Sequence, residues 1–92
     1  SGPLPGELVH EDRWFRHSTL SLGGGLASGP HIATAPSVLV LVRDGRIAIE
    51  HADSWVTSLE TAGQTAMIHE GDRYWIRNSG AVGADLVIVE VR

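Results

Sequence analysis

The stretch SVLVLVRDGRIAIE, residues 37–50, limits the fold more than any other part of the chain. Its first half is an unbroken valine and leucine run, the pattern of a strand covered on both faces. Its second half alternates, with Ile47 and Ile49 on one face and Arg46, Ala48 and Glu50 on the other. Asp44-Gly45 between them is the strongest short signal for a β-hairpin.

The rest of the chain repeats the theme. TAMIH (65–69), RYWIRN (73–78) and DLVIVEV (85–91) are strand candidates, parted by the turn-forming EGD and NSGAVGA. DRWFRHSTLSL (12–22) reads as one long strand or two short ones, and GGGLASGP (23–30) as a flexible loop. The proline of TAPS (34–37) marks a turn or bulge. No window combines a 3.6-residue period with helix caps. Eleven glycines and four prolines in 92 residues favour frequent turns. The expectation is an all-β sandwich or barrel.

Ninety-two residues make a single domain, here residues 1–92. Residues 1–6, opening SGP, are candidates for a disordered end or a cloning remnant. So short a chain has a thin core, and pairing with a second copy would help it. The net charge is −4, and the seven cations are arginines scattered without a stripe, which excludes nucleic acid as an expected partner. Without cysteine there is no disulfide, thiolate metal site or cysteine nucleophile. VLVLV is far too short to cross a bilayer, and no signal-peptide pattern opens the chain, so no membrane partner and a cytoplasmic location are expected. The Gly23–Gly25 run lacks the lysine and strand–loop–helix setting of a phosphate loop, and no Gly-x-Ser-x-Gly elbow is present.

Residues 63–80, GQTAMIHEGDRYWIRNSG, resemble the second conserved motif of the cupins, small jelly-roll β-barrels of two antiparallel sheets. Gly63, Gly71 and Asn78 fall on motif positions, while His69 stands for the motif's proline and Tyr74 for its histidine. The first cupin motif lies over residues 25–45 with Gly25, His31 and Gly45 in register. In its four-residue spacing option, Ala33 takes the place of the second histidine and Val38 that of the glutamate.

The resemblance implies a barrel whose interior receives His31, Ala33, Tyr74 and Ile76. Val38, Val40 and Val42 would continue that wall, and Trp14 and Trp55 would fill the core or cap the pocket. Arg73, Trp75 and Arg77 would face outward, His69 would sit at the rim, and Glu50, His51 and Asp53 would occupy an exposed strand end. Asn78 and Gly80 would serve the turn after the strand. Cupins that hold Fe, Mn, Ni or Zn usually do so through three histidines and a carboxylate. Only His31 remains of those four, so no cofactor is expected. The alternative is a divalent metal on His31, Tyr74 and His69.

The function expected is therefore binding of a small, apolar ligand or substrate inside the barrel, by His31, Ala33, Val38, Val40, Tyr74, Ile76 and Trp14. The resemblance also implies a homodimer made through an outer sheet face. Rival readings are a metal-dependent dioxygenase, isomerase or decarboxylase, and a metal-free isomerase or cyclase with His31 and Tyr74 as base and acid. A regulatory or interaction module is a further one.

Overall fold

The computed structural model describes residues 5–92. Its described residues form nine strands and no helix: β1 Glu7–Glu11, β2 Phe15–Leu22, β3 Ala27–Ile32, β4 Ser37–Leu41, β5 Ile47–His51, β6 Val56–Leu59, β7 Thr65–Ile68, β8 Arg73–Asn78 and β9 Ala84–Val91. Two antiparallel sheets face each other, one in the order β1-β2-β9-β4-β7 and the other β3-β8-β5-β6. This is a jelly roll. Alternate residues of each strand enter the space between the sheets, where Leu39, Leu41, Ile49, Ile68, Ile76, Leu86 and Ile88 are wholly buried. Each such side chain stabilises the fold by about 1.5–3 kcal/mol relative to exposure.

The Asp44-Gly45 turn does not make a hairpin. β4 pairs with β7 and β9, whereas β5 pairs with β6 and β8, so the turn carries the chain from one sheet to the other. Asp44 accepts the Ala62 N–H at 2.8 Å, and the Gly45 N–H bonds the Glu60 carbonyl at 2.9 Å. Those long-range bonds replace the ladder that a hairpin would supply. β4 takes a central place because both of its faces are apolar.

Four more expectations change. GGGLASGP is a loop only in its first half, because Ala27 onward pairs with β8 as β3. VTSL forms β6, which the sequence did not mark as a strand. In β4 the burial alternates so that Ser37, Leu39 and Leu41 face inward, and Val38, Val40 and Val42 lie on the outer side. Trp14 and Trp55 belong to neither core nor barrel wall, being 62% and 69% exposed. The segment 12–22 resolves into the turn after β1 and the single strand β2. There Asp12 accepts the N–H groups of Trp14 at 2.7 Å and Phe15 at 2.8 Å.

Of the opening segment, residues 1–4 lie outside the described residues, while Pro5 and Gly6 pack on β2. Ser18 donates to the Pro5 carbonyl at 2.6 Å. Gly24 shows why one loop glycine is needed: a Cβ there would lie 2.5 Å from the Ala81 carbonyl oxygen. No helix among the described residues is long and apolar enough to cross a membrane.

Candidate functional site

Strand pairing assembles a polar row inside one end of the barrel. His31 of β3 and His51 of β5 both lie opposite Tyr74 of β8, so the three side chains share the inner face. The His31 and Tyr74 rings are 5.4 Å apart between centroids. His31 Nε2 is 2.7 Å from Ser28 Oγ, and burial pushes its imidazole below its ordinary pKa, towards the neutral form.

Tyr74 is the centre of the row. Its residue is only 2% exposed, yet no hydrogen bond reaches its hydroxyl among the described residues. No fully buried side-chain nitrogen or oxygen among them lacks a partner, so this hydroxyl opens on accessible space. Burial, and secondarily the Glu90 carboxylate, push its pKa up to about 12. The phenol therefore stays protonated, a hydrogen-bond donor rather than an anion.

Across the barrel, the other sheet contributes a buried ion pair. Arg16 of β2 and Glu90 of β9 are cross-strand neighbours pointing inward. Arg16 Nε and Nη2 meet the two Glu90 oxygens at 2.9 Å each, and Thr34 Oγ1 adds a third bond at 3.1 Å. Burial opposes the Glu90 charge, but the hydrogen bonds from Arg16 and Thr34 outweigh it, leaving the carboxyl below its ordinary pKa. The sequence reading missed both residues. The signal was present, since DLVIVEV places Leu86, Ile88 and Glu90 on one face, which puts a carboxylate in a core position.

A cleft of about 570 Å³ opens next to the row, in the gap between edge strands β6 and β7. His51, Asp53, Trp55, Thr57, Met67 and Arg73 line it, together with His69 and Asp72 of the turn before β8. Gly71 gives that turn its shape, with φ at +89°. His51 thus belongs to both the row and the cleft, a placement the exposed-strand-end expectation did not anticipate. Ile76 lies deeper in the core, and Ala33 is buried at the end of the row. Arg77 faces outward and pairs with Glu50 at 3.0 Å, as the alternation of β8 requires. Asn78 is structural, donating to the carbonyls of Leu22 at 2.9 Å and Val82 at 2.8 Å and accepting the Gly80 N–H at 2.9 Å.

No protein-family model and no curated protein matches the sequence. Solved structures do. A cupin domain from Bordetella pertussis superposes with a TM-score of 0.77 at 17% identity, covering 99% of both chains. The chain has the cupin fold. A cupin of the RmlC-like type from Methanocaldococcus jannaschii, described as a double-stranded β-helix, gives a TM-score of 0.82 at 13% identity, covering 92% of this chain and 76% of that one. A Neisseria meningitidis protein gives 0.74 at 22% identity, over 94% and 81% of the respective chains.

The cupin register can now be corrected. Because Ser37 is the inward residue, the motif's three-residue option puts Ser37 rather than Val38 at the glutamate position, and Gly45 then falls one residue out of register. Its hydroxyl donates to the Ala35 carbonyl at 3.0 Å. A cupin metal does not fit this set. Alanine, serine and a protonated phenol replace three of four ligands. Among the described residues, no three His, Asp or Glu side chains gather as a metal-holding group. The buried carboxylate at this end, Glu90, is already engaged by Arg16 Nε and Nη2 at 2.9 Å each.

Proposed function

We propose that this cupin-fold protein binds a small organic molecule without a metal, at the end of the barrel marked by His31, Tyr74 and His51. One observation carries the proposal: Tyr74 is almost fully buried, and its hydroxyl has no partner among the described residues. A tyrosine kept only for packing would ordinarily bond that hydroxyl to the protein. The cleft beside His51 supplies room on the scale of small-ligand sites, about 300–1,000 Å³. The mixed lining replaces the valine wall expected from the sequence and favours a ligand with polar groups over a purely apolar one.

Tyr74→Phe separates the two roles of the residue. A structural hydroxyl would cost about 1 kcal/mol on removal, whereas an unpartnered one costs close to nothing. The expected result is an unchanged urea midpoint, with loss of binding for compounds that shift the NMR signals of His31 and His51. A clear drop in the midpoint, or hits that bind the variant equally well, would defeat the proposal.

We also propose that two copies join through the outer face of β2, β9, β4 and β7. That face presents Phe15, Val38, Val40, Met67, Val87 and Val89, an apolar surface of the kind that marks interaction sites. Sedimentation equilibrium should give a dimer that a Val87→Glu/Val89→Glu variant dissociates. A wild-type monomer at high concentration would refute it.

A further inference from the structure

The cleft between β6 and β7 carries chemistry that selects its ligand. One wall is apolar: the Trp55 indole and the Met67 thioether are both exposed. Around them stand groups of both hydrogen-bonding kinds, namely the carboxylates of Asp53 and Asp72, the guanidinium of Arg73, the imidazoles of His51 and His69, and the Thr57 hydroxyl.

The charged groups do not neutralise one another. Arg73 makes no ion pair among the described residues, although two carboxylates line the same cleft. Asp53 accepts only the Trp55 N–H, at 3.2 Å, and Asp72 only the His69 N–H, at 3.2 Å, so each keeps one carboxylate oxygen unengaged. Ser54, beside Trp55, adopts a left-handed φ of 74°. A non-glycine residue rarely does so, and such strain clusters at ligand sites.

Three ligand classes fit poorly. An anion meets two carboxylates, a cation is drawn to those carboxylates but leaves the Arg73 guanidinium without an acceptor, and a wholly apolar molecule strips water from every polar group without replacing it. A ring with an apolar face and a rim of hydroxyls fits all the walls. Each hydroxyl both donates and accepts, so it can satisfy a guanidinium and a carboxylate together. We propose that the cleft binds a pyranose-type sugar, with its C–H face on Trp55 and its hydroxyls on Asp72 and Arg73. This rests on taking the cleft as the ligand site.

The test is a ¹⁵N NMR titration of the whole chain with glucose, galactose, mannose, rhamnose and xylose, and with benzoate and benzylamine as charged comparators. At least one sugar should produce saturable shifts at the Trp55 indole N–H and at residues 69–73, at millimolar concentration. Trp55→Ala and Arg73→Ala, both at exposed positions, should each weaken that binding roughly tenfold or more without lowering the melting temperature. If benzoate or benzylamine shifts these residues and no sugar does, the cleft is a site but the sugar assignment is wrong. If no probe shifts them, the assignment of the cleft as a ligand site falls as well.

Discussion

Arg16→Met should cost this protein more stability than any surface change. The substitution removes both charge-assisted bonds to Glu90, which the wild type holds at 2.9 Å each, and leaves the carboxylate with only the Thr34 hydroxyl. Breaking a buried pair from one side costs about 3–5 kcal/mol, because the surviving charge stays desolvated. A chain of this length has a total stability of roughly 5–14 kcal/mol, so the loss is a large share of the whole. The melting temperature should fall by about 12 °C or more.

The pH dependence tests the cause. In the wild type the Glu90 pKa lies below its ordinary value, so its contribution is present above that value and is lost as pH falls through the folded pKa. In the variant, burial is opposed only by the Thr34 hydrogen bond and the Arg92 charge, so the Glu90 pKa rises from its wild-type position and protonation on acidification relieves the penalty. Both effects make the gap between the two proteins close towards acid pH. Urea denaturation at neutral pH and near the ordinary glutamate pKa would measure it, with Arg16→Met/Glu90→Leu as the third protein. The double variant should recover most of the loss. A gap under about 1 kcal/mol that does not change with pH would refute the reasoning, as would a double variant no better than the single one.

Two further perturbations address the register and the β1–β2 turn. Ala33→His/Ser37→Glu/Tyr74→His in an Arg16→Met background should gain Ni²⁺ or Zn²⁺ affinity by calorimetry, while the same protein with Val38→Glu in place of Ser37→Glu should not; equal affinity would overturn the corrected register. Hydrogen bonds from His10 and from the Phe15 and Trp14 N–H groups lower the Asp12 pKa to about 2. The turn's contribution should therefore hold above the ordinary aspartate value of 3.8 and fade as pH falls towards 2. Amide exchange in β1 should accelerate over that window in the wild type but not in Asp12→Asn; acceleration in both would exclude Asp12 as the cause.

Much of the fold was legible because strand periodicity is a local property. RYWIRN is β8 residue for residue, and DLVIVEV differs from β9 only by lacking its first residue, Ala84. The errors lie where a long-range partner decides. β3 has weak strand propensity, with Gly29 and Pro30 inside it, and exists because β8 pairs with it. Asp44-Gly45 has hairpin chemistry, but the two-faced apolar character of β4 draws that strand between β9 and β7 of the opposite sheet. The parity of β4 was misjudged because valine and leucine alternate in SVLVL, so hydrophobicity alone does not say which set turns inward. Trp14 and Trp55 lie outside the core, which residue type does not foretell for large aromatics at turn ends, while Trp55 does line the cleft beside His51.

That single-residue slip in β4 alters the chemistry as well as the packing. With Val38 inward, the motif's glutamate position would hold an aliphatic side chain and the barrel end would read as apolar. With Ser37 inward, the same end holds a serine, a tyrosine hydroxyl and a carboxylate–guanidinium pair between the sheets, and the exposed Thr34 bonds the carboxylate. Ser37 and Arg16 both lie opposite Glu90 on neighbouring strands, so β4, β9 and β2 together carry this polar layer. A carboxylate there requires a cation, and in this chain the cation is covalently part of β2. Arg16 thus supplies the positive charge that this buried carboxylate requires. It leaves the Tyr74 hydroxyl, the one group in the layer with no protein partner among the described residues, as the point where a ligand can be recognised.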